Sequence, residues 1–175
     1  MMNNWYILTE CYVDTLLVEV ISPQKKGYNH QKGCNNVLKQ MTRFANVAVL
    51  SLIDADKIIR NFENFSLLKE YNKRLSIHKH NNRPHYIIKI GKAVEDFILQ
   101  NAQKSNVSLA DYNLPADLSG LKKITKHIDF LKSSELNFKN LFSALKQNKS
   151  SDFHKLAHWI ELFKKDPYNM NTELL

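Results

Sequence analysis

Acidic residues stand where apolar runs end. Glu10 follows WYILT (5–9), and Asp54 and Asp56 follow VAVLSLI (47–53), one residue apart, with Lys57 next. Asp14 comes four residues after Glu10, and Glu95 lies in the later amphipathic stretch AVEDFILQNA (93–102). Carboxylates that share a site repel one another, and the repulsion raises the pKa of at least one of them. A divalent cation removes the conflict. Mg²⁺ takes oxygen ligands, keeps several waters and needs only one or two protein carboxylates, with phosphate oxygens completing its shell. Residues two apart on an extended strand face the same side, so the spacing predicts that Asp54 and Asp56 face one ion if the strand reaches that far. Plainer roles exist for each acid taken singly: a turn or helix cap for Asp56, a solvated loop acid for Glu10, an N-cap or supporting group for Asp14. Lys57 either pairs with the acids or touches a phosphate.

The cations point to the complementary partner. Formal net charge is +8, from 25 Lys and Arg against 17 Asp and Glu, a balance that favours polyanions. Lys122, Lys123 and Lys126 fall on one predicted helix, either as a solvated face or as contacts to nucleic acid. His78, His80 and His85 lie in RLSIHKHNNRPHY (74–86). This HxH could hold zinc, but no Cys accompanies it, and phosphate contact or plain loop suits the basic surroundings better. His154 and His158 have the i, i+4 spacing of zinc helices, but Lys155 stands where the catalytic Glu would follow His154. The two cysteines, Cys11 and Cys34, have no CxxC spacing and read as reduced thiols.

Elements must bring these groups together. Trp5–Thr9, Val47–Ile53 and His85–Ile90 read as strands, with a weak edge strand at Tyr28–His30. Asp14–Ile21, Asn35–Ala45 and Ala93–Ala102 read as helices. The pattern from Ile58 to Leu75 is also helical, with a break near Asn64-Phe65, and Arg74–Pro84 reads as loop. From Leu118 onward the pattern predicts helices only: 118–131, 136–146 and 152–164. Alternation of strand and helix argues for an α/β fold with a mainly parallel sheet flanked by helices. In such sheets functional groups collect beyond the carboxyl ends of the strands, where Glu10, Asp54 and Asp56 lie. The apolar runs are far shorter than the roughly 20 residues that span a bilayer. The first residues carry no basic region ahead of an apolar patch. A cytoplasmic protein with no membrane partner is therefore expected.

WYILTECYVDTLLVEVI resembles the first motif of the TOPRIM domain: an apolar strand, a Glu, and an Asp four residues later opening a helix. VAVLSLIDADK resembles the family's DxD motif, and KGCNNVLKQM the glycine turn and helix between them. HYIIKIGKAVEDFIL is similar to the segment after DxD in the OLD-like, defence-associated TOPRIM nucleases. Where the family carries Gly after the first acid, this chain carries Cys11, a residue with less backbone freedom. LIDADKI also resembles the DxD of haloacid-dehalogenase phosphatases, but these place it on the first strand.

The resemblance implies a TOPRIM-like catalytic domain over 1–115 and a helical C-terminal extension over 116–175. It implies that Glu10, Asp54, Asp56 and Glu95 ligate Mg²⁺ or Mn²⁺, with Glu10, Asp54, Asp56 and Lys126 catalytic and Asp14 and Lys57 behind them. The implied activity is phosphodiester cleavage of nucleic acid, with DNA favoured over RNA. An ABC-type ATPase would act as a separate partner, in the setting of anti-phage defence. The other function carried by the same residues is a TOPRIM-like subunit, weak or inactive in catalysis, that contacts nucleic acid or a protein. Leu141, Phe142, Leu145, Trp159 and Phe163 supply apolar area that the C-terminal helices are expected to offer to a partner or a second copy.

Overall fold

The computed structural model describes residues 5–24, 28–56 and 58–175. Its strands are β1 (Trp5–Thr9), β2 (Tyr28–His30), β3 (Ala48–Asp54), β4 (Phe65–Tyr71), β5 (Leu75–His80) and β6 (His85–Ile90). They form one sheet in the order β2-β1-β3-β6-β5-β4. The pairs β1–β2, β1–β3 and β3–β6 are parallel, while β5 runs antiparallel to β6 and β4 to β5. The helices are α1 (Tyr12–Ile21), α2 (Cys34–Arg43), α3 (Val94–Lys104), α4 (Leu118–Lys126), α5 (Ile128–Gln147) and α6 (Ser151–Lys165). The α/β architecture with a mainly parallel sheet and helices after it is thus the one expected. Among the described residues no helix is long and apolar enough to cross a membrane.

β3 reads as an almost unbroken apolar run because both of its faces are covered. Leu50 and Leu52 pack with α1, α3, α5 and α6, whereas Val49 and Ile53 pack with Val37 and Met41 of α2 on the other face. The strand register brings the carboxyl ends of β1, β3 and β6 to one edge, with Thr9 opposite Leu52 and Asp54 opposite Ile90.

Three expectations fail. The stretch 58–75 is not a helix, and 74–84 is not a loop: a short 3-10 turn (Phe62–Asn64) leads into β4, which hairpins with β5. Asn61, Asn72 and Lys73 all take left-handed backbone, with φ of 57°, 52° and 55°. These positions break any helix there and close the hairpin. The five apolar residues of the C-terminal helices are not offered outward either. Leu141, Phe142, Leu145, Trp159 and Phe163 are all buried in the same core as Ile7, Leu50 and Tyr86. The Phe163 ring meets Trp5 of β1 and Tyr86 of β6 edge-on, at centroid distances of 5.7 and 5.8 Å. The core therefore runs continuously across residue 115. A buried ion pair adds to it: Arg74, in the β4–β5 turn, holds Asp152 of α6 through Nε–Oδ2 (2.5 Å) and Nη2–Oδ1 (2.9 Å).

Candidate carboxylate site

Glu10 is the first residue beyond β1. Its N–H donates to the Leu52 carbonyl (3.1 Å), and its own carbonyl accepts from Gly33 N–H (3.0 Å). Gly33 opens α2 at φ 87°, a left-handed conformation that explains a glycine in KGCNN. With its main chain fixed on both sides, Glu10 turns its side chain towards β3, where Oε2 accepts the Asp54 N–H at 3.2 Å. The Glu10 residue is 8% exposed, so this carboxylate sits at the mouth of the core rather than in solvent.

Asp54 ends β3 and reaches the other way. Its Oδ1 accepts the N–H of Val94, the first residue of α3, at 2.9 Å. The helix's first turn presents unsatisfied N–H groups and the positive end of its dipole, both of which favour a carboxylate. Glu95, on the same first turn, is buried and accepts a hydrogen bond from Thr125 Oγ1 of α4.

Asp14 completes the inner layer. It sits at the third position of α1 in a reciprocal cap with Cys11: Cys11 N–H donates to Asp14 Oδ2 (3.0 Å), and Asp14 N–H to Cys11 Sγ (3.4 Å). Cys11 has φ −135° and ψ 171°, extended backbone that any residue adopts, so the glycine of the resembled motif is not required here. Asp14 is 1% exposed, and among the described residues its Oδ1 finds no hydrogen-bond partner. Burial pushes the Asp14 pKa well up and the Asp54 carboxylate adds to it, the hydrogen bonds from Cys11 opposing and Glu10 raising it further. Burial, and then Asp14, likewise push the Cys11 thiol up.

Asp56 does not join them. β3 stops at Asp54, so strand alternation does not carry to Asp56, which is exposed in the following turn and donates its N–H to the Lys92 carbonyl (3.3 Å). It lines a separate cavity of about 550 Å³ with Arg74, Lys92, Asp96 and Gln100. Lys57 lies outside the described residues. Lys122 is half-buried, Lys123 and Lys126 are exposed, and all three belong to α4, the helix whose Thr125 holds Glu95. Thr125 and Cys11 are the site contacts that motif reading misses. A Thr one residue before a candidate Lys, and a polarisable side chain three residues before an acid, are the signals that could have found them.

The donor set is all carboxylate oxygen and suits a hard cation, and positive charge would relieve the crowding that raises Asp14. Among the described residues no three His, Cys, Asp or Glu side chains are grouped to hold one metal ion. A Mg²⁺ here would take one or two carboxylates and complete its shell with water. The histidines form no such group. His154 Nε2 meets the Lys146 carbonyl (3.1 Å), and His158 Nε2 meets that of Leu174 (2.8 Å). Neither Cys11 nor Cys34 forms a disulfide. Comparison of the chain with protein-family models, with curated proteins and with solved structures finds no match.

Proposed function

We propose that this chain is a small Mg²⁺- or Mn²⁺-dependent nuclease of the TOPRIM type, cleaving phosphodiester bonds in nucleic acid. The observation that carries the reading is the meeting of Glu10 and Asp54 at the carboxyl edge of the parallel strands, one carboxylate on the N–H of the other residue. Its general setting fits: ligands in open α/β sheets bind beyond the strand ends.

The bound metal would supply an activated water and charge neutralisation at the transferring phosphoryl group. The chain's own residues do the positioning. Main-chain bonds on both sides of Glu10 and the α3 terminus at Asp54 fix the two carboxylates before substrate arrives. Thr125 orients Glu95 from α4, and Lys122, Lys123 and Lys126 supply cations for phosphate on the same helix. Lys126 would complete the site from the helix end. Net charge of +8 suits a polyanionic substrate, with DNA favoured. An ABC-type ATPase acting in trans, and a role in anti-phage defence, belong to the same reading by resemblance.

A second reading is favoured by one observation. Asp56 lines a cavity whose lining includes neither Glu10 nor Asp54, which suits a TOPRIM-like subunit that contacts nucleic acid or a protein partner with little catalysis. Incubation with plasmid, single-stranded DNA and RNA in Mn²⁺ or EDTA separates the two. Cleavage that needs Mn²⁺ supports the nuclease; intact substrate in every arm leaves the binding subunit.

A further inference from the structure

A second polar feature lies at the opposite end of the strands. His85 begins β6 and pairs with Val49 near the start of β3. The amino edge of the sheet is thus separated from Asp54 by the length of β3, roughly 20 Å at about 3.3 Å per residue. Against this edge lies a cavity of about 420 Å³, lined by Lys39 and Thr42 of α2, Arg60, Phe65, His80 and Arg83 among others. A second cavity of about 500 Å³ shares His80 and Arg83 and continues past Lys79, Asn82 and Tyr168. No Asp or Glu is among the lining residues of either cavity.

We propose that these two neighbouring cavities, which share His80 and Arg83, form a track for single-stranded nucleic acid, distinct from the carboxylate site. Lys39, Arg60 and Arg83 face one space with no acid among its lining. Among the described residues none of the three is ion-paired. Like charges gathered in this way repel one another until an anion enters. Guanidinium groups match phosphate oxygens in pairs, which a lone ammonium does not.

Aromatic rings accompany the cations. Phe65 packs edge-on to His80 (5.0 Å) and stacks with Phe62 (5.8 Å), and Tyr168 in the second cavity is 40% exposed. Aromatic faces beside a cationic groove are the recurrent means of holding unpaired bases on a backbone track. Asn35, Asn61 and Asn64 add amide donors and acceptors to the first cavity. Burial, and then Arg83, hold the His80 pKa down, so the positive charge near neutral pH comes from the Lys and Arg side chains. His80 and Arg83 line both cavities, and this adjacency favours a strand of several nucleotides over a single nucleotide, which would fill only one. This inference shares with the proposed function only its nucleic-acid partner and needs no cleavage.

The test is fluorescence anisotropy of the full chain in EDTA, with labelled single-stranded DNA and RNA 12-mers, a duplex of the same sequence, and AMP as competitor. Both 12-mers are measured because the groove itself chooses no sugar. Arg60→Gln and Arg83→Gln together should weaken 12-mer binding about tenfold, and flatten the log K against log salt slope by roughly 0.7 for each phosphate no longer neutralised. Lys165→Gln, an exposed charge on α6, should change affinity by less than about twofold if the effect is local. Ultraviolet cross-linking of the unmodified chain should map to peptides holding Phe65 or Tyr168, a result that depends on no variant. Absent 12-mer binding, an equal loss in Lys165→Gln, equal affinity for the duplex, or displacement by equimolar AMP would each overturn the track. Failure of Mn²⁺-dependent cleavage would count against the carboxylate reading and leave this one standing.

Discussion

The Oε2 of Glu10 accepts the backbone N–H of Asp54 at 3.2 Å, across 44 residues of sequence. The contact ties the end of β1 to the end of β3 through a side chain that could equally serve a ligand. Asp54 in turn is held at its own Oδ1 by the Val94 N–H. Each carboxylate therefore accepts a structural bond that an amide oxygen could also accept, and carries a negative charge that an amide lacks. That separation makes the site testable without unfolding it.

Asp54→Asn keeps an acceptor for the α3 terminus and removes the charge. Metal-dependent cleavage should fall by about a hundredfold or more, because metal supplies several kcal/mol of transition-state stabilisation. Glu10→Gln should behave alike. The melting temperature should stay level or rise, since a like-charge contact with Asp14 is removed. Binding of nucleic acid measured in EDTA should survive both changes. Activity that persists in Asp54→Asn would remove Asp54 from the mechanism.

Asp14→Asn addresses the crowding itself. Burial and the charges of Asp54 and Glu10 raise the Asp14 pKa, so the folded state without metal carries a penalty at neutral pH. The amide should raise stability in EDTA by on the order of 1 kcal/mol, read by urea denaturation. It should also shrink the further gain that Mn²⁺ gives the wild type. A loss of stability in EDTA would mean that the Asp14 charge is compensated in the apo protein.

Much of this arrangement is legible in the sequence. β1, β3 and β6 are short apolar runs with clear ends, and the acids that follow them fall on one sheet edge as strand topology requires. β4 and β5 are not legible. Ile58, Ile59, Phe62, Phe65 and Leu68 repeat at helical spacing, and only the left-handed Asn61, Asn72 and Lys73 betray the turns. Asp56 misleads for a related reason. Its alternation with Asp54 holds only while the strand continues, and β3 ends at Asp54, two residues too soon. The C-terminal helices mislead through burial: an apolar stripe is the same in sequence whether it covers the chain's own sheet or a partner's.

Metal binding should register as stability. A ligand that binds only the folded state stabilises by about 2.7 kcal/mol at a hundred times its Kd. Addition of millimolar Mn²⁺ should therefore raise the wild-type melting temperature measurably and leave that of Asp54→Asn nearly unmoved. Equal shifts in the two proteins would place the cation elsewhere.

Acid stability should depend on Arg74 and Asp152. The Asp152 side chain is fully buried and takes both Arg74 contacts plus the Asn72 amide at 3.1 Å. Burial alone would push its pKa up, but the hydrogen bonds from Arg74 and Asn72 and the Arg74 charge outweigh it, so the net shift is downward. A lowered folded pKa means that the unfolded chain takes up the proton first as pH falls. The stabilisation is complete above the ordinary Asp range and is lost as pH drops through the folded value. Arg74→Ala leaves the carboxylate buried without its cation and should cost about 3–5 kcal/mol at pH 7. Because α6 covers the sheet beside Trp5 and Tyr86, the loss should appear as global unfolding in urea rather than fraying of one helix. The double change Arg74→Met, Asp152→Leu removes both charges and should recover most of that loss at pH 7 while flattening the acid limb of the stability curve. If Arg74→Ala costs less than about 1 kcal/mol, in the range of an exposed pair, the latch between the β4–β5 turn and α6 contributes little to the fold.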